Sequence, residues 1–291
     1  MSGSGELRWG SRAFSPTDRV VMAIVNRTTD SFYDRGATFA ADVAMERVRT
    51  VVADGADMVD IGAIKAAPGE EISVAEEIDR TAGFVAAVRA EFPDLVISVD
   101  TWRADVGRAA AEAGADVFND AWGGWDPDLA VVAGELGAGL VCTHTGGVAP
   151  RTRPHRVRYD DLLGDVLDRL TGLAERAVTV GVDPARIVID PGHDFAKNTY
   201  HSLAVTRAVP DLVATGWPVL MSLSNKDFVG ETLDLPVGER LTGTLATTSL
   251  TAAWGARVFR VHNVRETRQT LDMVGAVLGH RPPLRAVRGL A

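Results

Sequence analysis

The sequence predicts a single closed (β/α)8 barrel over residues 20–281, on three observations. Eight short apolar runs recur along the chain, helix-length amphipathic stretches separate them, and a glycine closes most of those stretches just before the next run. The runs are VVMAIVN (20–26), MVDIGA (58–63), LVISVDT (95–101), DVFND (116–120), GLVCTHT (139–145), RIVIDPG (186–192), PVLMSLS (218–224) and RVFRVHN (257–263). Most are apolar without alternation, as expected of parallel strands buried on both faces. A chain of 291 residues has room for two ordinary domains, but α/β barrels reach this length as one, and no linker or low-complexity segment breaks the pattern.

The elements follow in order. Residues 1–19 precede the first run and are expected to form a hairpin or plug at the barrel floor, and residues 282–291 a C-terminal tail. Ser73 and Glu76 have the spacing of a capping box. They open a helix whose apolar face reads as Val74, Ile78, Ala82, Val85 and Phe92. Asp126-Pro127 reads as an N-cap followed by proline at the first helical position. Leu163, Val166, Leu167, Leu170 and Ala174 mark a later helix face, and Val264, Thr267, Leu271, Val274 and Leu278 the last. Gly55, Gly114, Gly137, Gly181, Gly216 and Gly255 each end a helix ahead of a strand.

Bulk properties narrow the function. A net charge of −9 disfavours nucleic acid as a partner and leaves an anionic ligand only a local basic pocket. The single Cys142 rules out an internal disulfide and suits the reducing cytoplasm. MSGSGELRWGSRAF lacks the apolar core of a signal peptide, and no apolar run is long enough to span a bilayer, so no membrane partner is expected.

Polar residues collect at the C-terminal strand ends: Asn26 and Asp30, Asp100 and Thr101, Asn119 and Asp120, His144, Asp190, Ser224 and Lys226, Arg260 and His262. In a barrel these ends share one mouth. Any one Asn, Asp, Ser or Thr there could be a helix cap. Lys226, Arg260 and His262 are poor caps, and the whole set forms a pocket with cations on one side. Asp100, Asn119 and Asp190 suit a flat heterocycle with an N–H edge. Arg260 and His262, two positions apart on one strand face, suit a phosphate or pyrophosphate, with Asn26 beside them. His144 and Cys142 have no second ligand at metal spacing and read as barrel core. By contrast the stretch DIGAIKAAPGEE (60–71) is nearly bare where a β/α repeat usually carries chemistry: between Ala63 and Ala67, Lys65 is the only reactive side chain.

MAIVNRTTDSF, ISVDT, VFND, IDPG, SNKDFVG and RVHN, in that order, resemble the dihydropteroate synthase family from about residue 20 to residue 280. The resemblance implies a homodimeric, magnesium-using barrel that joins a dihydropterin methyl pyrophosphate to para-aminobenzoate. By the same resemblance Asp100, Asn119, Asp190 and Lys226 would hold the pterin ring. Arg260, His262 and Asn26 would hold the pyrophosphate, with Asn26 also touching magnesium. Asp30, in the first loop, and Lys226 would serve catalysis.

The departures from the family pattern are concentrated. Its second loop reads Gly-Gly-Glu-Ser-Thr-Arg-Pro-Gly; here the run is Gly62, Ala63, Ile64, Lys65, Ala66, Ala67, Pro68, Gly69. In the first loop Arg27 and Thr29 replace Val and Pro. Asp227 stands where a Ser meets the aminobenzoate carboxylate, and two bare carboxylates in contact repel by roughly 1–4 kcal/mol. His193 and Asp194 put bulk and charge where the pterin pocket has Ile-Gly, and Thr143 replaces a Met. Losing one donor to a developing charge typically costs about a hundred- to a thousandfold in rate. The expectation is a synthase homologue with a partly kept pterin-pyrophosphate pocket and little or no synthase activity. A working synthase and another pterin-barrel transferase or binding protein are the alternatives; retention of Arg260 and His262 argues against the transferase. Two features fall outside the resemblance. Arg151, Arg153, His155, Arg156 and Arg158 form a basic run after the fifth strand, and Trp122 and Trp125 flank Gly123-Gly124, either stacking on a ligand or covering the rim.

Overall fold

The computed structural model describes residues 5–26, 41–64, 68–69, 71–152 and 158–288. A short antiparallel hairpin, β1 (Leu7–Trp9) and β2 (Arg12–Phe14), leads into eight parallel strands. These are β3 (Val20–Asn26), β4 (Met58–Gly62), β5 (Val96–Asp100), β6 (Val117–Asp120), β7 (Gly139–Thr143), β8 (Ile187–Asp190), β9 (Leu220–Met221) and β10 (Val258–Val261). Each falls inside one of the eight apolar runs. They pair in the order β8-β7-β6-β5-β4-β3-β10-β9, and a parallel bridge between Ile189 and Val219 joins the two ends into a barrel.

Helices wrap the outside. Those that bear on the site are α1 (Ala41–Ala53), α2 (Val74–Glu91), α3 (Ala104–Glu112), α4 (Asp128–Leu136), α5 (Leu162–Thr179), α6 (Thr199–Arg207), α7 (Val209–Ala214), α8 (Asp227–Leu233), α9 (Leu241–Ala253) and α10 (Val264–Val277). The six glycines read as helix ends all have positive φ, between 66° and 110°. Ser73 caps α2 by accepting the Glu76 N–H at 3.2 Å, the Ser half of the expected box; at α4 the N-cap is Pro127, one residue later than expected, and Asp126 ahead of it accepts the Asp128 N–H at 3.1 Å. The predicted face of α2 needs correcting. Its buried residues are Glu77, Thr81, Phe84, Val85 and Val88, whereas Val74, Ile78 and Ala82 lie half-buried beside them. Two polar groups on the inner face, Glu77 and Thr81, turned the apparent hydrophobic stripe aside.

The barrel interior is layered, because alternate residues of each strand point inward. The lower layers are apolar: Val20, Met22, Met58, Val96, Val117, Val141, Val188, Leu220 and Val258 form one buried cluster with Leu7, Trp9 and Phe14 of the hairpin. The hairpin therefore seals the floor, and the Trp9 indole N–H donates to the Arg186 carbonyl at 3.0 Å. Two residues further along the same strands the lining turns polar. Asn26, Gly62, Asp100 and Asn119 share one register row, and Asp60 and Ser98 pair in the row beneath.

Trp9 is 1% exposed, so Trp9→Ala should cost about 3–5 kcal/mol. Urea unfolding checks it: the midpoint should fall sharply with an unchanged slope, and Trp9→Phe should recover most of the loss.

Candidate functional site

The site grows from a charge placed in the middle of an apolar strand. Asp60 has no solvent exposure, and it accepts from Ser98 Oγ (2.6 Å), Asn119 Nδ2 (3.0 Å) and Arg260 Nε (2.6 Å). Arg260 reaches across the barrel and also donates through Nη2 to Asp100 at 2.9 Å. One guanidinium thus bridges two carboxylates, and one carboxylate orients the Asn119 amide so that its oxygen is the end left to accept. Gly62 separates Asn26 from Asp100: a Cβ there would lie 3.5 Å from Asn26 Oδ1 and 3.7 Å from Asp100 Cβ. The missing side chain opens the mouth between these two groups.

Negative charge outweighs positive around this centre. Burial pushes the Asp100 carboxyl up to about 7; Asp60, Glu77 and Asp120 push the same way, against Arg260. Asp190 is raised by burial, against the pull of Lys226. It accepts the Gly192 N–H at 2.7 Å, which shapes the turn after β8. Only glycine fits that turn, because φ at Gly192 is +66° and a Cβ would lie 1.9 Å from the His144 carbonyl oxygen.

Lys226 enters from the loop before α8. Its Nζ donates to the His193 carbonyl and lies 5.2 Å from the Phe195 ring centroid. Burial lowers its pKa, and Asp194 and Asp190 act against that. His193 faces away from the mouth. It is wholly buried, its Nε2 sits 2.8 Å from Thr206 Oγ1, and its ring lies 5.4 Å from that of Phe228. Asp194 accepts the Asp227 N–H at 2.8 Å, which caps α8. The bulk and charge expected in the pocket are therefore spent on packing α6 and α8. Asp227 differs from expectation too: its Oδ1 receives Arg240 Nη1 at 2.9 Å. Its charge is largely balanced, so its repulsion of a second carboxylate falls well short of the bare-charge figure.

The rim is aromatic. Ile64, Trp102, Ala121 and Trp122 form a buried cluster with Ile72, Val148 and Phe195 packed on it. Trp122 meets Trp102 edge-on at 6.2 Å and Phe195 at 5.2 Å. Thr101 and Asp120 have structural partners. Thr101 donates to Glu77 at 2.8 Å, and Asp120 accepts the N–H groups of Trp122 (3.0 Å) and Gly124 (2.6 Å). Beneath the rim, Lys197 Nζ donates to His144 Nδ1 at 2.6 Å and to the Gly192 and Phe195 carbonyls, both at 3.2 Å. The other His144 nitrogen meets Asp165 at 2.8 Å. Burial lowers the Lys197 pKa to about 7 and the His144 pKa to about 4.

Of the residues singled out from sequence, Asn26, Asp100, Asn119, Asp190, Lys226 and Arg260 line the mouth region. His262 follows β10, where its N–H donates to Ser224 Oγ at 3.2 Å. Asp30, Arg27, Thr29, Lys65, Ala66, Ala67, Arg153, His155 and Arg156 lie outside the described residues. Sequence reasoning missed Asp60, whose signal was a lone charge inside MVDIGA, and Arg240 and Lys197, whose partners are remote in sequence.

Fold and site together define a (β/α)8 barrel with a cluster of buried polar and charged side chains at its C-terminal face. The model of the pterin binding enzyme family matches residues 22–262, and the chain belongs to that family. Within it the chain is a dihydropteroate synthase homologue. It is 58% identical over 276 residues to the inactive dihydropteroate synthase 2 of Mycobacterium tuberculosis (strain ATCC 25618 / H37Rv), covering 94% of this chain and 87% of that one. It is 36% identical to the dihydropteroate synthase of Mycobacterium leprae (strain TN), covering 92% of this chain and 96% of that one. The crystal structure of the Yersinia pestis dihydropteroate synthase with a sulfonamide drug complex matches it with a TM-score of 0.89 and 31% identity, over 95% of this chain and 100% of that one.

Two outcomes follow from the ion cluster. Asp60→Ala leaves the buried Arg260 with Asp100 alone, takes the acceptor from Ser98 and Asn119, and should cost about 3–5 kcal/mol in chemical denaturation. Asp100 binds its proton more tightly in the folded chain (about 7) than in the unfolded one (about 3.9), so the folded chain holds the extra proton between those values. Its contribution to stability is present below pH 4 and is lost as pH rises towards 7. Denaturation midpoints measured from pH 4 to 8 should show that fall in the wild type and a smaller one in Asp100→Asn.

Proposed function

We propose that this chain binds a pterin bearing a pyrophosphate and has little or no dihydropteroate synthase activity. The observation that carries the reading is Ile64. It occupies the position of the family's second-loop Glu, and its side chain is buried against Trp102, Ala121 and Trp122. The loop is anchored by apolar packing at the point where the family pattern presents a carboxylate, and Lys65, Ala66 and Ala67 replace the Ser, Thr and Arg that follow. The identity of 58% to a relative named as inactive supports the same reading.

In this site Asp190 accepts a ring N–H, and Lys226 donates to a ring carbonyl or nitrogen. Asp100, whose carboxyl burial pushes up to about 7, serves either role, and the Asn119 oxygen accepts. Arg260 and His262, with Asn26, take the pyrophosphate. Arg260 meets it while already shared between Asp60 and Asp100, so the net charge offered to the anion is small. Asp30 would act from the first loop. Magnesium fits as an ion carried in on the pyrophosphate. Asn26 offers one neutral oxygen, and no three His, Cys, Asp or Glu side chains among the described residues group to hold an ion alone. When bound, it would offset charge on the departing pyrophosphate. Turnover fails for want of the loop arginine: Ala67 brings no cation to that charge as it develops, and Arg260 is already shared between Asp60 and Asp100.

A homodimer fits exposed apolar side chains on two neighbouring helices: Leu250 of α9, with Met273 and Val277 of α10. A reducing compartment such as the cytoplasm suits the single buried Cys142. No helix among the described residues is long and apolar enough to cross a membrane.

Calorimetric titration with dihydropterin pyrophosphate, with and without magnesium, should give binding that Lys226→Ala weakens at least tenfold. A parallel assay with para-aminobenzoate should yield at most trace dihydropteroate. Turnover of about 1 per second would overturn the claim of inactivity, and absence of binding would overturn the pterin reading.

A further inference from the structure

We propose that the cleft between α5 and the loops after β6 and β7 is a second ligand site, separate from the barrel mouth, for a planar aromatic carboxylate. The cleft encloses about 430 Å³, within the range of small-molecule pockets. One wall is a single face of α5: Arg169, Gly172, Leu173 and Arg176 line it at spacings of three, one and three residues. The facing wall is glycine-rich loop backbone with Trp125 beside it. The two walls approach closely. A Cβ on Gly124 would lie 2.8 Å from Leu173 Cδ2 and 4.0 Å from Arg176 Nη2, and one on Gly147 would lie 3.2 Å from Arg169 Nη1. Side chains at those loop positions would crowd the space the guanidinium groups face.

The loop that carries Trp125 is fixed at both ends. Asp120 accepts the Trp122 and Gly124 N–H groups, and Asp126 accepts those of Asp128 (3.1 Å) and Ala104 (2.8 Å). Trp125 is nevertheless 52% exposed. A large aromatic held on a fixed loop yet left half in water gains little from its own packing. It presents a ring platform whose ordering cost is already met. Trp122 does the opposite: it is buried in the rim and packed on Trp102 and Phe195. The two tryptophans have split the alternatives the sequence left open.

Charge sets the ligand's class. Arg169 shares Asp165 with His144, and among the described residues no carboxylate forms an ion pair with Arg176. Asp168 also lines the cleft, and Asp165 already balances Arg169, so Arg176 is the guanidinium left to meet an anion. That guanidinium suits a carboxylate, and Trp125 suits the ring attached to it.

Titration calorimetry with 2-naphthoate tests this, with 2-naphthamide as its uncharged counterpart. The acid should bind at least tenfold more tightly than the amide. Trp125→Ala and Arg176→Ala, both at exposed positions and so expected to fold, should each weaken the acid about tenfold or more, and circular dichroism would verify their fold. Asp100→Asn, at the barrel mouth, should leave its affinity unchanged. The proposal fails if the acid does not bind, if acid and amide bind alike, if both cleft variants bind as the wild type does, or if binding is lost in Asp100→Asn and kept in Trp125→Ala.

Discussion

The guanidinium of Arg260, held between Asp60 and Asp100 inside the barrel, is the interaction on which the rest of the structure depends. Taking three ionised groups out of water is costly, and their mutual attraction offsets the cost only where geometry is good and the remaining oxygens are satisfied. Ser98 and Asn119 satisfy Asp60, and those residues sit where they do because β4, β5 and β6 pair in one register. A one-residue slip would turn the whole set outward. The apolar floor belongs to the same arrangement. With Trp9 and Phe14 closing the lower layers, the floor beneath the ion cluster is apolar and buried.

An excess of buried carboxyl groups gives the mouth its chemical character. Burial raises Asp100, Asp120, Asp190 and Glu77 alike, and it lowers Lys226 and Lys197. Such a site has protons to share and little net charge, which favours a neutral heterocycle with alternating donors and acceptors over a free anion. The second loop pulls in another direction. Ile64 trades a polar position for burial against Trp102 and Trp122, and an apolar contact cannot respond to charge that builds up in a transition state. The ion cluster and the second loop are thus different parts of the mouth, held by different interactions, so one can change while the other is kept.

How much of this was legible in the sequence depended on the range of the interactions. The strands were, because a strand buried on both faces is written locally as an apolar run, and the helix ends were, because a positive φ demands glycine. Asp60 and Glu77 were hidden for the same reason in reverse: each is a charge set in an element otherwise read as apolar, and its partner lies on another element. His193 and Asp194 looked intrusive because sequence gives the residue type but not its direction. In the fold His193 turns to Thr206 and Asp194 to the start of α8. Asp227 was misjudged in magnitude because Arg240, its counter-ion, is thirteen residues away across a turn.

Lys197 shows how far the mouth's order reaches into the wall of the barrel. Its ammonium donates to the carbonyls of Gly192 and Phe195 and to His144, and His144 in turn meets Asp165 on α5. The turn after β8, which places Phe195 against Trp122 and the His193 carbonyl against Lys226, is therefore tied to α5 through one histidine. The same Asp165 holds Arg169, which lines the cleft between that helix and the loops after β6 and β7. Rim aromatics, Lys226 and the α5 cleft share one set of hydrogen bonds. A shift of α5 would alter the pairing of His144 and Lys197, and with it the turn that carries Phe195, before it reached the barrel strands.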